Sequence, residues 1–142
     1  MDNIKVKEFA REAIKARKLA YTPYSNFNVG AALLTKDGSV YIGANLENAA
    51  YTPSICAERS AFVRALIDGH RQFEAIFVAG GPAGLEVPAD YCAPCGVCRQ
   101  VMREFAKPSE FKIYLVKSED EVKEFTLEEM LPLGFGPEDL GM

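Results

Sequence analysis

The sequence predicts an α/β fold in which helices pack on the faces of one mixed sheet. Helical and strand-like periodicities alternate along the chain, and an Asp-Gly pair joins two apolar runs as a hairpin. No repeat, low-complexity tract or linker divides residues 1–142, which read as a single domain. With 142 residues, 49% of them hydrophobic and 25% charged, the chain can bury about two-thirds of its unfolded surface in one core.

Residues 4–20 place Val6, Phe9, Ala10, Ala13, Ala16 and Ala20 at helical spacing with charges between them, which predicts an amphipathic helix stopping near Pro23. Asn28–Thr35 and Val40–Gly43 flank Asp37-Gly38 as the two strands of the hairpin. A helix over residues 57–68 puts Ala57, Ala61, Phe62, Ala65 and Leu66 on one face, with Gly69 placed to cap its C-terminus. Phe73–Ala79 reads as the next strand. Another helix starts around Gly96, carries Val97, Val101, Met102 and Phe105, and ends before Pro108. Strands at Phe111–Val116 and Val122–Phe125 follow. Thr126 and Glu129 have the spacing of a capping box, so a short last helix begins there and stops at Pro132. The crossover helices are expected to connect parallel strands.

Composition and charge remove several function classes. The longest apolar stretches, such as Ala31–Leu34 and Ala75–Ala79, fall far short of the roughly 20 residues that span a bilayer. Met1–Glu8 carries charges where a signal peptide is apolar, so a cytoplasmic location is expected. The 16 basic and 20 acidic residues leave a net charge of -4, which argues against a nucleic-acid partner. Lys5, Lys7, Arg11, Lys15, Arg17 and Lys18 alternate with Glu8 and Glu12, as on a solvated helix face. His70, the one histidine, is expected at an exposed helix end, and without a second histidine a Ser/His/Asp hydrolase has no support.

Function is to be sought among the cysteines. Cys56, Cys92, Cys95 and Cys98 stay reduced in a cytoplasmic chain, so metal binding or catalysis is expected rather than disulfides. Cys95 and Cys98 lie three apart at a helix start and share the face of its first turn, a zinc-ligand spacing also found in structural zinc knuckles and redox motifs. Free N–H groups and the positive end of the helix dipole favour thiolates there. Cys56-Ala57-Glu58-Arg59 opens another helix, and Cys56 can meet Glu58 at one metal only from the first turn or just before it. Three thiolates leave one tetrahedral position open, as in a catalytic zinc site, and put Glu58 beside the metal as a proton carrier. A fourth protein ligand would make the site structural. Cys92 is the candidate for that, although it reads as a plain loop or semi-buried thiol.

Cys56-Ala57-Glu58 followed by Pro94-Cys95-Gly96-Val97-Cys98 resembles the signature of the zinc-dependent cytidine deaminase family. Tyr21–Leu34, Gly43–Tyr51 and Leu131–Phe135 are similar to further blocks of that family, so the resemblance covers nearly the whole chain. It implies a three-layer α/β/α fold with a mixed five-stranded sheet and one Zn²⁺ per chain. It also implies the short, three-cysteine class, a homotetramer with shared active sites. The implied reaction is hydrolytic deamination of cytidine and deoxycytidine to uridine and deoxyuridine with release of ammonia, a step of pyrimidine salvage.

Carried over residue by residue, Cys56, Cys95 and Cys98 resemble the zinc ligands and Glu58 the general acid/base. Phe27 resembles the aromatic that packs on the pyrimidine, and Asn45 and Glu47 the pair that holds the ribose hydroxyls. The Ala57 backbone faces the base by the same resemblance, and Tyr51 and Phe135 complete a neighbouring chain's pocket. Arg59 resembles the arginine that hydrogen-bonds ligand sulfurs and so offsets the formal charge of -1 on zinc with three thiolates. Without the resemblance, Phe27 would read as core, and Asn45 and Glu47 as loop residues. The rival readings are a same-fold deaminase of a modified nucleoside such as blasticidin S, a structural zinc-binding module, and an RNA-binding or RNA-editing protein. The acidic charge and the lack of a basic aromatic groove oppose the last of these.

Overall fold

The computed structural model describes residues 1–142. The chain runs α1 (Asn3–Ala16), a 3-10 turn (Arg17–Leu19), β1 (Phe27–Thr35), β2 (Val40–Ala44), α2 (Ala57–Ile67), β3 (Phe73–Pro82), α3 (Gly96–Phe105), β4 (Lys112–Val116), β5 (Val122–Thr126), α4 (Leu127–Met130) and a last 3-10 turn (Pro137–Leu140). The Asp2 carboxylate caps α1 by accepting the Lys5 N–H at 2.9 Å. The α-helix is shorter than its periodicity predicts, because the chain tightens where Arg17 turns inward. The buried guanidinium donates to the carbonyls of Asn28, Pro82, Leu85 and Glu86. Gly69 ends α2 at φ +95°, and the Thr126–Glu129 capping box opens α4 as expected.

The strands form one sheet in the order β2-β1-β3-β4-β5. β1 is antiparallel to both β2 and β3, β3 is parallel to β4, and β4 is antiparallel to β5. Only α3 therefore connects two parallel neighbours. α2 carries the chain from β2 across β1 to β3, strands that run in the same direction without touching. β3 also runs three residues beyond the predicted Ala79, and its end pairs with Phe27 and Asn28 at the start of β1. Gly80-Gly81-Pro82 has turn composition, and only the partner strand makes it extended.

Alternation along the strands divides the core into two layers. Leu33, Ile76, Val78, Ile113 and Leu115 face α2 and α3, meeting Ala61, Phe62, Ala65 and Met102. Ala32, Ala75, Phe77, Ala79 and Tyr114 face α1 through Phe9, Ala10 and Ala13, with the rings of Phe77 and Tyr114 stacked at 4.3 Å. This is the expected three-layer α/β/α arrangement. β2 lies so close to α2 that a Cβ on Gly43 would sit 2.2 Å from the Ala57 carbonyl oxygen. No helix is long and apolar enough to cross a membrane.

Candidate active site

Two helix starts bring the cysteines together. Cys56 is the N-cap of α2 and Cys95 the N-cap of α3, and neither side chain is spent on capping. Cys98, one turn into α3, is buried. The three sulfurs lie within 4.8 Å of one another, with Cys56 Sγ 3.8 Å and Cys98 Sγ 3.5 Å from Cys95 Sγ. Zn–S bonds of about 2.3 Å at tetrahedral angles put sulfurs about 3.8 Å apart, so these three suit zinc closely. Their helix N-termini add the positive field that thiolates favour. The Cys56 thiol is drawn below its ordinary value, first by the neighbouring Cys98 thiol and then by the Arg59 guanidinium, against the opposing effect of burial.

Cys92 lies outside this cluster. It is a half-buried thiol that burial pushes up to about 11, and its sulfur occupies the space beside Gly80, 2.7 Å from where a Cβ would be. The expectation of a semi-buried thiol holds, and the cluster that could hold a metal ion has three cysteines rather than four.

Glu58, in the first turn of α2, is only 4% exposed. Burial pushes its carboxyl up to about 7 and the Cys56 sulfur adds to the rise, while its own backbone N–H favours the charged form. That places its proton affinity near neutrality, where a proton carrier works best. Arg59 donates to Cys56 Sγ, and the sulfur holds its guanidinium still more firmly protonated. The Ala57 side chain is fully buried, and its N–H stands in the first turn of α2, where backbone donors lack intrahelical acceptors.

Phe27, Asn45 and Glu47 meet where β1 begins and β2 ends. The Asn45 side chain accepts the Val29 N–H and donates to the Phe27 carbonyl, both at 2.9 Å, and so pairs with β1 like a further strand residue. One amide hydrogen and one lone pair remain for another partner. Phe27 is 39% exposed, which excludes the core reading. Glu47 accepts the N–H groups of Tyr24 and Ser25 and the Ser25 hydroxyl. The Ser25 hydroxyl first, then the Ser25 and Tyr24 backbone, hold its carboxyl below the ordinary value. Tyr24, Ser25, Glu47, Tyr51 and Ser54 line a surface cavity of about 420 Å³. Tyr51, in the left-handed region at φ 60°, meets Tyr24 edge-on at 6.1 Å.

Phe135 lies elsewhere, on the C-terminal segment against α3, where its carbonyl accepts from Gln100 and its side chain is 56% exposed. No hydrogen bond or ring contact links it to Phe27, Asn45 or Tyr51. His70 is half-buried rather than exposed, because it packs edge-on against Tyr41 and faces Asp37. Sequence reasoning missed Ser25 and Arg99. Arg99 fixes the start of α3 by donating to the carbonyls of Pro94 and Met130. Ser25 reaches Glu47 and Arg99 reaches Met130 across long stretches of sequence, and only the neighbouring Cys98 could have drawn attention to Arg99.

Comparison with known proteins agrees with this geometry. Residues 4–114 match the family model described as the cytidine and deoxycytidylate deaminase zinc-binding region. The chain is 46% identical over 135 residues to the cytidine deaminase of Sporosarcina psychrophila, covering 95% of this chain and 94% of that one. It is 48% identical over 130 residues to the cytidine deaminase of Halalkalibacterium halodurans, covering 92% and 93%. The 1.6 Å crystal structure of cytidine deaminase from Burkholderia pseudomallei superposes with a TM-score of 0.80 at 44% identity, over 90% of this chain and 97% of that one. From the sulfur cluster and from matches of this extent, the chain belongs to the cytidine and deoxycytidylate deaminase zinc-binding family.

Proposed function

We propose that the chain, acting as a single domain over residues 1–142, hydrolyses cytidine and deoxycytidine to the uracil nucleosides and ammonia in pyrimidine salvage. The observation that carries this reading is the buried Glu58 beside three sulfurs spaced for one metal ion. Zinc held by Cys56, Cys95 and Cys98 supplies the Lewis acidity that makes water nucleophilic near neutral pH. Glu58 takes a proton from the attacking water and delivers it to N3 of the base as the water oxygen bonds to C4. It then hands the second proton to the exocyclic nitrogen as the C4–N bond breaks, so that ammonia leaves and the carbonyl forms. Phe27 packs on the pyrimidine, the Ala57 backbone meets the base, and Asn45 and Glu47 hold the ribose so that C4 stays within reach of the water.

The same reading makes the active unit a homotetramer. Tyr51 is 72% exposed and Leu133 and Phe135 project from the C-terminal segment, surface that a neighbouring copy's pocket would cover. A species of four times the 15.6 kDa chain mass in sedimentation equilibrium is expected, and a monomer with full activity would refute shared sites. The reaction belongs in the cytoplasm, where thiols stay reduced.

The test is the absorbance of cytidine on adding zinc-loaded protein, run beside Glu58→Ala with zinc quantified in both. Loss of cytidine absorbance with the unaltered chain and none with the zinc-replete variant is expected. No change with either, at one zinc per chain, would overturn the reading and turn attention to modified nucleosides.

A further inference from the structure

The last residue of β2 is tied to α2 by a hydroxyl. Ser60 lies on α2 one turn beyond Cys56, and its Oγ accepts the Ala44 N–H at 3.0 Å. The same Oγ sits 3.1 Å from the Ala44 carbonyl oxygen and 3.0 Å from that of Ala57, with one hydrogen to donate between them. Ala44 closes β2, an edge strand whose outward N–H and C=O have no sheet partner. The Ser60 hydroxyl takes the place of that missing strand.

Asn45 is the next residue. On its far side Leu46 exchanges two backbone hydrogen bonds with Ile55, each 3.0 Å long. Asn45 is thus held between two ties, one to the loop entering α2 and one to the helix itself. The strand is seated firmly, because a Cβ on Gly43 would lie 2.2 Å from Ala57 O and 2.6 Å from Ser60 Oγ.

We propose that Ser60 is a positioning residue that sets the distance between the ribose contacts of Asn45 and Glu47 and the proton carried by Glu58. The inference rests on the proposed function. On that reading a nucleoside is held at its sugar end by the segment following β2 and reacts at its base end beside α2; Ser60 joins the two at the last residue of β2, while Arg64, one turn farther along α2, holds the Ile42 carbonyl two residues earlier. Losing the hydroxyl leaves the sugar and base contacts in place but lets one end shift against the other. Misplacement of reacting groups by a fraction of an ångström acts chiefly on turnover.

The experiment measures kcat and KM for cytidine, with zinc content, for the unaltered chain, Ser60→Ala and Ser60→Thr. Alanine is the better helix former, so α2 survives the first change. Threonine keeps the hydroxyl at a half-exposed position. For Ser60→Ala the expected result is a fall of about tenfold in kcat, a KM within about threefold and zinc unchanged. Ser60→Thr should restore kcat. Unchanged kcat in Ser60→Ala, a loss that follows zinc content, or failure of Ser60→Thr to restore turnover would each overturn the proposal. No cytidine turnover by the unaltered chain would instead overturn the proposed function, and this inference with it.

Discussion

Arg59 reaches back along the first turn of α2 and donates from Nη2 to the Cys56 sulfur at 3.5 Å. Its Nε is buried without a hydrogen-bond partner, which is tolerable where the guanidinium faces negative sulfur. Three thiolates overneutralise Zn²⁺, and a cation bonded to one of them draws part of that charge away, keeping the metal a stronger Lewis acid. Arg59→Ala is therefore expected to retain zinc while kcat falls about 10- to 100-fold. Turnover assayed beside metal content decides the matter, since an unchanged kcat at full occupancy removes the role.

Glu58→Gln separates proton transfer from architecture. The amide matches the carboxylate in size but cannot carry a proton, so kcat should fall by about 10² to 10⁴ with zinc still bound. Burial raises the Glu58 carboxyl, which means that the folded state disfavours its charged form at pH 7. The variant should consequently melt at the same temperature or higher, as calorimetry would show. A large loss of stability would instead make Glu58 a structural residue.

The sequence made the frame of this site legible because its signals are local. Cys95 to Cys98 and Cys56 to Glu58 are spacings within single helix turns, and the Thr126–Glu129 box and the Asp37-Gly38 hairpin need no distant partner. Contacts across the fold were not legible. Ser25 buttresses Glu47 from 22 residues away, and Ser60 satisfies Ala44 from 16. Nothing in the composition of either segment marks those pairings. Gly80-Gly81-Pro82 shows the opposite failure, in which turn-forming residues are pulled into a strand by β1. The placement of Phe27 needed the family resemblance, because a phenylalanine taken by itself reads as core.

Metal removal should cost stability as well as activity. A site that binds zinc in the folded state alone stabilises it by about 4 kcal/mol at a thousandfold excess over Kd. For a chain of this size that amounts to a fall in Tm of roughly 10 °C on chelation, reversed by added zinc. Cys92→Ser should show the same shift, because Cys92 stands outside the sulfur cluster. A Cys92→Ser protein indifferent to chelator would make that thiol a ligand and close the open position on which catalysis depends.

Glu47 gives the pH dependence of substrate binding a definite sign. Its folded carboxyl lies below the ordinary value because the Ser25 hydroxyl and the Ser25 and Tyr24 N–H groups favour the charged form. The charge is therefore present above the unfolded value of about 4.3 and is lost only as pH falls through the lower, folded one. If Glu47 holds the ribose as a carboxylate, the ratio of KM in Glu47→Gln to KM in the unaltered chain should stay flat from pH 8 to pH 5, since the Glu58 titration near neutrality acts on both. Glu47→Gln should raise KM about tenfold or more across that range, as expected when a charged hydrogen-bond acceptor is lost. Steady-state KM values at half-unit pH steps provide the check. A KM that titrates near pH 6 in the unaltered chain but not in the variant would show that Glu47 is not held ionised by Ser25.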